Sequence, residues 1–216
     1  MELEISRTND FEVTGTGSSL SWNSVEWQPL VRVGTGKSEY ATRSKVLYSH
    51  LGIYFLMNCN DKRITCTRTK DFENIYKEDV VEIFLWPDEN HPLYFEYEIS
   101  PLGLELPIVV PNRNGNFFGW RPWHYEGERL IRRATSVRGG EKLPLAQIEE
   151  WTAEFFIPFA LLTAVIPDIP GPGTRWRANM YRIDYDDGQP SQWAWCPDVN
   201  VTFHDYRHFG TFVFGK

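Results

Sequence analysis

Apolar residues along much of this chain recur with a period of two. In DVVEIFLW (79–86), Val81, Ile83 and Leu85 fall on one side while Val80, Glu82, Phe84 and Trp86 fall on the other. That is the alternation of a strand, whose successive side chains point to opposite faces. LYFEYEIS (93–100) repeats it, with Phe95, Tyr97 and Ile99 opposing Tyr94, Glu96 and Glu98. Six further segments have strand composition: KVLYS (45–49), GIYFLMNCN (52–60), ERLIRRATSV (128–137), EEWTAEFFIP (149–158), TRWRANMYRID (174–184) and GTFVF (210–214). All are rich in β-branched and aromatic residues and are bounded by Gly, Pro, Asn or Asp. For 79–86 and 93–100 the pattern predicts one face in a core. The other face, mixing rings with carboxylates, is expected to meet solvent or a polar ligand.

Helical periodicity is scarce. FALLTAV (159–165) follows Pro158 as a short helical turn, and IPDIPGPG (166–173) ends it. Many strands without alternating helices predict an all-β fold, an antiparallel β-sandwich of jelly-roll-like or immunoglobulin-like layers with one short helix. A single domain over residues 1–216 is expected, since one all-β unit can be this long.

Composition narrows the function classes. The chain is 42% hydrophobic with a net charge of -7, too apolar for disorder. The 29 acidic residues outnumber the 22 basic ones, and no basic run stands out, which argues against a nucleic-acid partner. No segment reaches the roughly 18 consecutive apolar residues of a membrane helix, so no membrane partner is expected. The N-terminus, MELEISRTNDFEV, carries no export signal, which predicts a cytoplasmic chain as written, or an exported one if a leader was removed. Cys59, Cys66 and Cys196 are an odd number and read as free thiols, although Cys59 and Cys66 could pair across a hairpin in an exported protein. Aromatic residues make up 15% of the chain, including nine Trp, more flat apolar surface than one core obviously needs.

Several segments, taken in order, resemble the family 9 carbohydrate-binding modules, relatives of the DOMON domains that bind sugar or haem. They are TRSKVLYSHLGIYFLMNCND (42–61), IYKEDVVEIFLWPDE (75–89), YFEYEISPLG (94–103), WTAEFFIPFALL (151–162), GTRWRANMYRID (173–184) and FHDYRHFGTFVF (203–214). The resemblance implies a β-sandwich that holds carbohydrate between two aromatic rings, without catalysis, in carbohydrate catabolism. Matched motif to motif, the rings fall at Tyr76 and Phe203, where better-known members have Trp. Polar contacts fall at Glu82, Asn179 and Asn200. The family also implies a glycoside hydrolase as partner and a structural calcium ion, for which DYDDG offers Asp184, Asp186 and Asp187. No cofactor is required.

The chemistry suits a sugar independently of the family. A pyranose packs its C–H face on a ring, and its hydroxyls pair with carboxylates and amides. Glu96 joins the candidate ligand contacts, as does Trp193, which shares one side of SQWAWCP with Trp195. Trp120 and Trp123 lie in the loop GWRPW. Glu82 could instead pair with Arg177 or Arg182. Two rival functions remain: a glycoside hydrolase using Glu82, Glu96 and Glu98, and a haem domain ligated through Met57 or Met180 with one of His50, His91, His124, His204 and His208.

Overall fold

Period-two segments become strands wherever a partner strand satisfies their backbone groups. The structure, a computed structural model, describes residues 1–197 and 202–216. In chain order the first strands are β1 (Glu2–Arg7), β2 (Gln28–Val33), β3 (Thr42–Tyr48), β4 (Gly52–Asn60), β5 (Val80–Trp86), β6 (Leu93–Ile99) and β7 (Glu105–Arg113). Then come β8 (Asn116–Phe117), β9 (Arg121–Pro122), β10 (Arg132–Arg138), β11 (Glu150–Pro158), β12 (Arg175–Asp184), β13 (Ser191–Ala194) and β14 (Gly210–Phe214). One helical turn, α1 (Phe159–Leu162), follows β11.

The strands form two layers. One runs β10-β11-β4-β3 and the other β14-β12-β5-β6-β7, with β13 beside the distal half of β12. Pairing is antiparallel throughout the described strands except at β1, which runs parallel to both β3 and β14 and so joins the layers. The second join is β2, paired with β3 on one side and β13 on the other.

The core predicted from the alternation lies between the layers. Val81, Ile83 and Leu85 of β5 and Phe95, Tyr97 and Ile99 of β6 all enter it. Rings meet across the gap, Tyr97 on Phe155 at 4.9 Å and Phe55 on Phe212 at 6.3 Å between centroids. Cys59 and Cys66 are buried free thiols and Cys196 is a half-buried one. Burial disfavours the thiolate and pushes Cys59 up to about 12.

The outer faces differ from expectation. The far side of β5 and β6 does not lie open: Val80, Phe84, Trp86 and Tyr94 pack beneath loop residues Ile75 and Phe209 in a second apolar cluster. A third cluster covers the other layer, where Phe11, Val13 and Trp22 close over Tyr54, Leu56 and Phe156. Glu154 of β11, fully buried, fastens that cover by accepting from the amides of Thr14 and Gly15 and from Trp22 Nε1, each at 2.8 Å. Gly15 is held at φ +83°, and a Cβ there would lie 2.9 Å from the Ala134 carbonyl carbon, so only glycine fits.

Strand β7 was hidden in sequence by Pro107 and Pro111, which demote an apolar run. It tolerates them at the margin of its sheet, where only the two-residue strands β8 and β9 pair beyond it. The helix is shorter than 159–165, and β10 begins at Arg132 rather than at residue 128.

Candidate functional site

The register places three glutamates on one patch. Glu82 of β5 lies directly opposite Glu98 of β6, and Glu96, two residues earlier, projects from the same face. One carboxylate oxygen from each lies within 4.8 Å of the other two. They are not on an exposed strand face: Glu82 and Glu96 are 3% exposed and Glu98 1%. Loss of water holds the protonated forms, pushing Glu82 up to about 8. Glu96 and Glu98 are raised well above the usual carboxylate range by burial and then by repulsion from their neighbours. Oε2 of Glu96 and Oε2 of Glu98 have no hydrogen-bond partner among the described residues.

These carboxylates line a cleft of about 370 Å³ together with the rings of Tyr76, Phe117, Trp120 and Phe203. Ile108 and Ile183 add apolar surface, and Gln192, Thr202 and His204 add polar groups. Tyr76 sits in the helical turn Ile75–Lys77, which Ile75 anchors by complete burial. Phe203 stacks on Tyr181 of β12 at 4.0 Å and 15°. His204 Nδ1 is 2.6 Å from the Tyr94 hydroxyl, and Phe117 stacks on its ring at 4.2 Å. Burial lowers His204 to about 4, so it is neutral at pH 7.

Of the residues singled out from sequence, Tyr76, Glu82, Glu96 and Phe203 meet in this cleft, joined by Glu98 and Trp120. Asn179 does not line it. Fully buried beneath Phe203, its amide donates to the Tyr181 hydroxyl at 2.7 Å and the Cys196 carbonyl at 2.9 Å, and its Oδ1 accepts from the Cys196 amide. Trp193 is absent from the lining as well: it enters the core between the layers at 2% exposure, under the Arg182 guanidinium at 4.9 Å. The alternation of β13 that turns Trp193 inward turns Gln192 toward the cleft. Asn200 lies outside the described residues. Phe117, Gln192 and His204 were not anticipated as cleft residues, and only the period of β13 carried a signal for one of them.

Glu82 pairs with neither arginine. Arg182 sits opposite Val81 and therefore on the core side, where its Nη2 donates to Asp61 at 2.9 Å and Asp184 at 2.8 Å. Arg177, at the far end of β12, donates to the carbonyls of Phe209 and Arg207. Around Arg182, single oxygens of Asp61, Asp79, Asp184 and Asp186 also lie within 4.8 Å of one another. Every carboxylate oxygen in this group already accepts a hydrogen bond from the protein, for example Asp79 from the Thr65 and Tyr185 amides and Asp186 from Thr65 and Tyr40 hydroxyls. Asp187 stands apart from it and accepts from Ser38.

Met57 and Met180 are both fully buried between the layers, whereas His50, His91, His124 and His208 are exposed. A larger opening of about 630 Å³ beside β10 is lined by Arg132, Arg133 and Lys142 and holds no aromatic ring.

Residues 13–104 match the family model described as Carbohydrate family 9 binding domain-like. That stretch contains Tyr76, Glu82, Glu96 and Glu98. No curated protein matches the chain. Among solved structures, a Bacteroides uniformis protein with a proposed carbohydrate-binding role superposes with a TM-score of 0.74 at 20% identity, covering 99% of this chain and 98% of the other. A family 9 carbohydrate-binding module from Caldicellulosiruptor kristjanssonii, in complex with cellotriose, gives a TM-score of 0.69 at 14% identity, with 100% and 95% covered. Its complex with glucose gives 0.70 at 14% identity, with 100% and 97% covered. The chain thus has the β-sandwich fold of the family 9 carbohydrate-binding modules, and its residues 13–104 match the model of that domain type.

Proposed function

We propose that this protein binds carbohydrate without catalysis, in the cleft over β5, β6 and β12. The observation that carries the reading is the meeting, in one cleft, of four aromatic rings with three carboxylates. Rings accept the C–H face of a pyranose, and the carboxyl groups take its hydroxyls. The relatives of the same fold that hold cellotriose and glucose support it. Binding at one cleft by hydrogen bonds worth about 0.5 to 1.5 kcal/mol each predicts dissociation constants on the order of micromolar to millimolar.

Hydrolysis is the weaker reading. All three glutamates project from one face of β5 and β6, whereas the acid and the nucleophile or base of a glycosidase flank the glycosidic bond. A role in catabolism, holding glycan near a glycoside hydrolase, follows from the same reading. The convergence of Asp184 and Asp186 with Asp61 and Asp79 favours a secondary proposal of structural calcium there, although the group is already satisfied internally. A melting point that rises with calcium and falls with chelator supports it, and an unchanged one removes it.

The test of carbohydrate binding is a panel of glucose-, xylose- and galactose-type oligosaccharides followed by calorimetry and Trp fluorescence, Trp120 being the reporter in the cleft. Binding that disappears in Tyr76→Ala is expected. Silence across the panel at millimolar ligand overturns the reading, and product release lost in Glu82→Gln or Glu96→Gln replaces it with the enzyme.

A further inference from the structure

We infer that the sugar this cleft selects carries a protonated amine, as a 2-amino hexose does, and that Glu82, Glu96 and Glu98 receive the ammonium group. The inference rests on the carbohydrate reading above and adds the charge of the ligand to it. Among the described residues, Oε2 of Glu96 and Oε2 of Glu98, both buried in the wall of the cleft, have no donor, and the two carboxyl groups meet each other. An unpartnered buried carboxyl is unfavourable, and what it lacks is a hydrogen-bond donor or a positive charge.

The described residues supply no such charge to the cleft. No Lys or Arg is among the described residues lining the cleft, and His204, held neutral by burial, keeps its Nδ1 3.8 Å from Glu96, too far for a hydrogen bond. An ammonium group offers three N–H donors, one for each carboxylate. Charge-assisted bonds place such a nitrogen about 2.8 Å from each oxygen, which three acceptors within 4.8 Å of one another can meet together. The surrounding rings favour an organic cation further, through attraction of positive charge to their faces. A divalent metal ion fits less well. Calcium, for example, takes about six to eight oxygens, and beyond the glutamates the lining is mostly apolar or aromatic. A neutral sugar leaves the glutamates protonated; the single charge of the ammonium ion offsets one carboxylate, so its binding releases about one proton to the buffer.

The experiment is calorimetry with glucosamine, glucose, N-acetylglucosamine and calcium chloride, each alone. It is run at constant ionic strength and about pH 6.5, where an ordinary amine is mostly protonated. Glucosamine is expected to bind about tenfold more tightly than the two neutral sugars, the gain of a charged over a neutral hydrogen-bond set. Its enthalpy should vary with the ionisation heat of the buffer. In Glu96→Gln and Glu98→Gln, shown to be folded by their melting transitions, the glucosamine-to-glucose affinity ratio should collapse toward one. Equal binding of glucosamine and glucose by the native protein overturns the inference while leaving carbohydrate binding intact. Absence of binding by every sugar overturns both. Calcium that binds alone and abolishes the preference for glucosamine assigns the three glutamates to a metal instead.

Discussion

Phe203 lies flat on Tyr181, their ring centroids 4.0 Å apart and their planes 15° from parallel, and the Tyr181 hydroxyl reaches back to the Phe203 carbonyl at 3.3 Å. A ring in a loop is thereby oriented by a ring on a strand, with Asn179 fixing the strand ring through its hydroxyl. Phe203→Ala should weaken carbohydrate binding about tenfold with little change in melting temperature, because its ring is only half-buried. Tyr181→Leu should lower both affinity and stability. Calorimetry and thermal melts of the two variants separate the wall from its support.

Stability should fall as pH rises from about 4.5 to about 8. Glu82 moves from its ordinary 4.5 up to about 8 in the fold, and Asp79 from 3.8 up to about 8, both through burial. Between those limits the folded chain holds protons that the unfolded chain has released, so each step up in pH favours unfolding. His204 acts in the opposite sense, destabilising the fold only below its ordinary 6.5, where the unfolded chain gains a proton that the folded one takes up near 4. The melting temperature should therefore drop between about pH 4.5 and 8, most steeply above about 6.5 where His204 no longer offsets it, and Glu82→Gln should flatten the slope.

Removing Arg182 should be severe. Its guanidinium is fully buried and neutralises Asp61 and Asp184, both of which lie at 0% side-chain exposure. Arg182→Met leaves those carboxylates without their counter-charge, which costs about 3 to 5 kcal/mol. A shift in the denaturant midpoint without loss of slope checks this, and a change of less than about 1 kcal/mol would show that the aspartates simply protonate.

Glu154→Ala should free the segment from Thr14 to Trp22. The substitution leaves the Thr14 and Gly15 amides and the Trp22 indole without their acceptor, a loss of about 2 to 3 kcal/mol. Hydrogen exchange at residues 14–17 should rise, with a red shift in Trp fluorescence from Trp22, while the cleft on the opposite layer keeps its ligand affinity.

Much of the framework was legible because its long strands combine period-two alternation with β-branched and aromatic composition. Strands β3–β6, β10–β12 and β14 were found in this way. Strands β1, β2 and β13 escaped because they are short, polar or terminal, and β7 because of Pro107 and Pro111. The places of Tyr76, Phe203 and Glu82 in the cleft followed from motif order, and that of Glu96 from the alternation of its strand. What could not be read was depth. A glutamate between aromatic residues looks the same in sequence whether water or a folded-over loop lies above it, and the loop that brings His204 to the cleft lies more than 100 residues from Glu98 in the chain. Asn179 and Trp193 show the complementary error, since residue types suited to a ligand also serve as an internal bracket and as core filling.

The parallel pairing of β1 with β14, with Leu3 beside Phe212, has a kinetic meaning. This contact spans nearly the whole described chain, and β14 also borders β12, which carries the support for Phe203. Loop closure over such a distance must precede the gain from pairing, so folding should be slow and the last strand decisive. Until β14 docks, β12 lacks a neighbour along half of one side, and a nascent chain holds an unfinished cleft with an open strand edge. Ligand recognition in this protein is thus gated by the docking of β14 between β1 and β12.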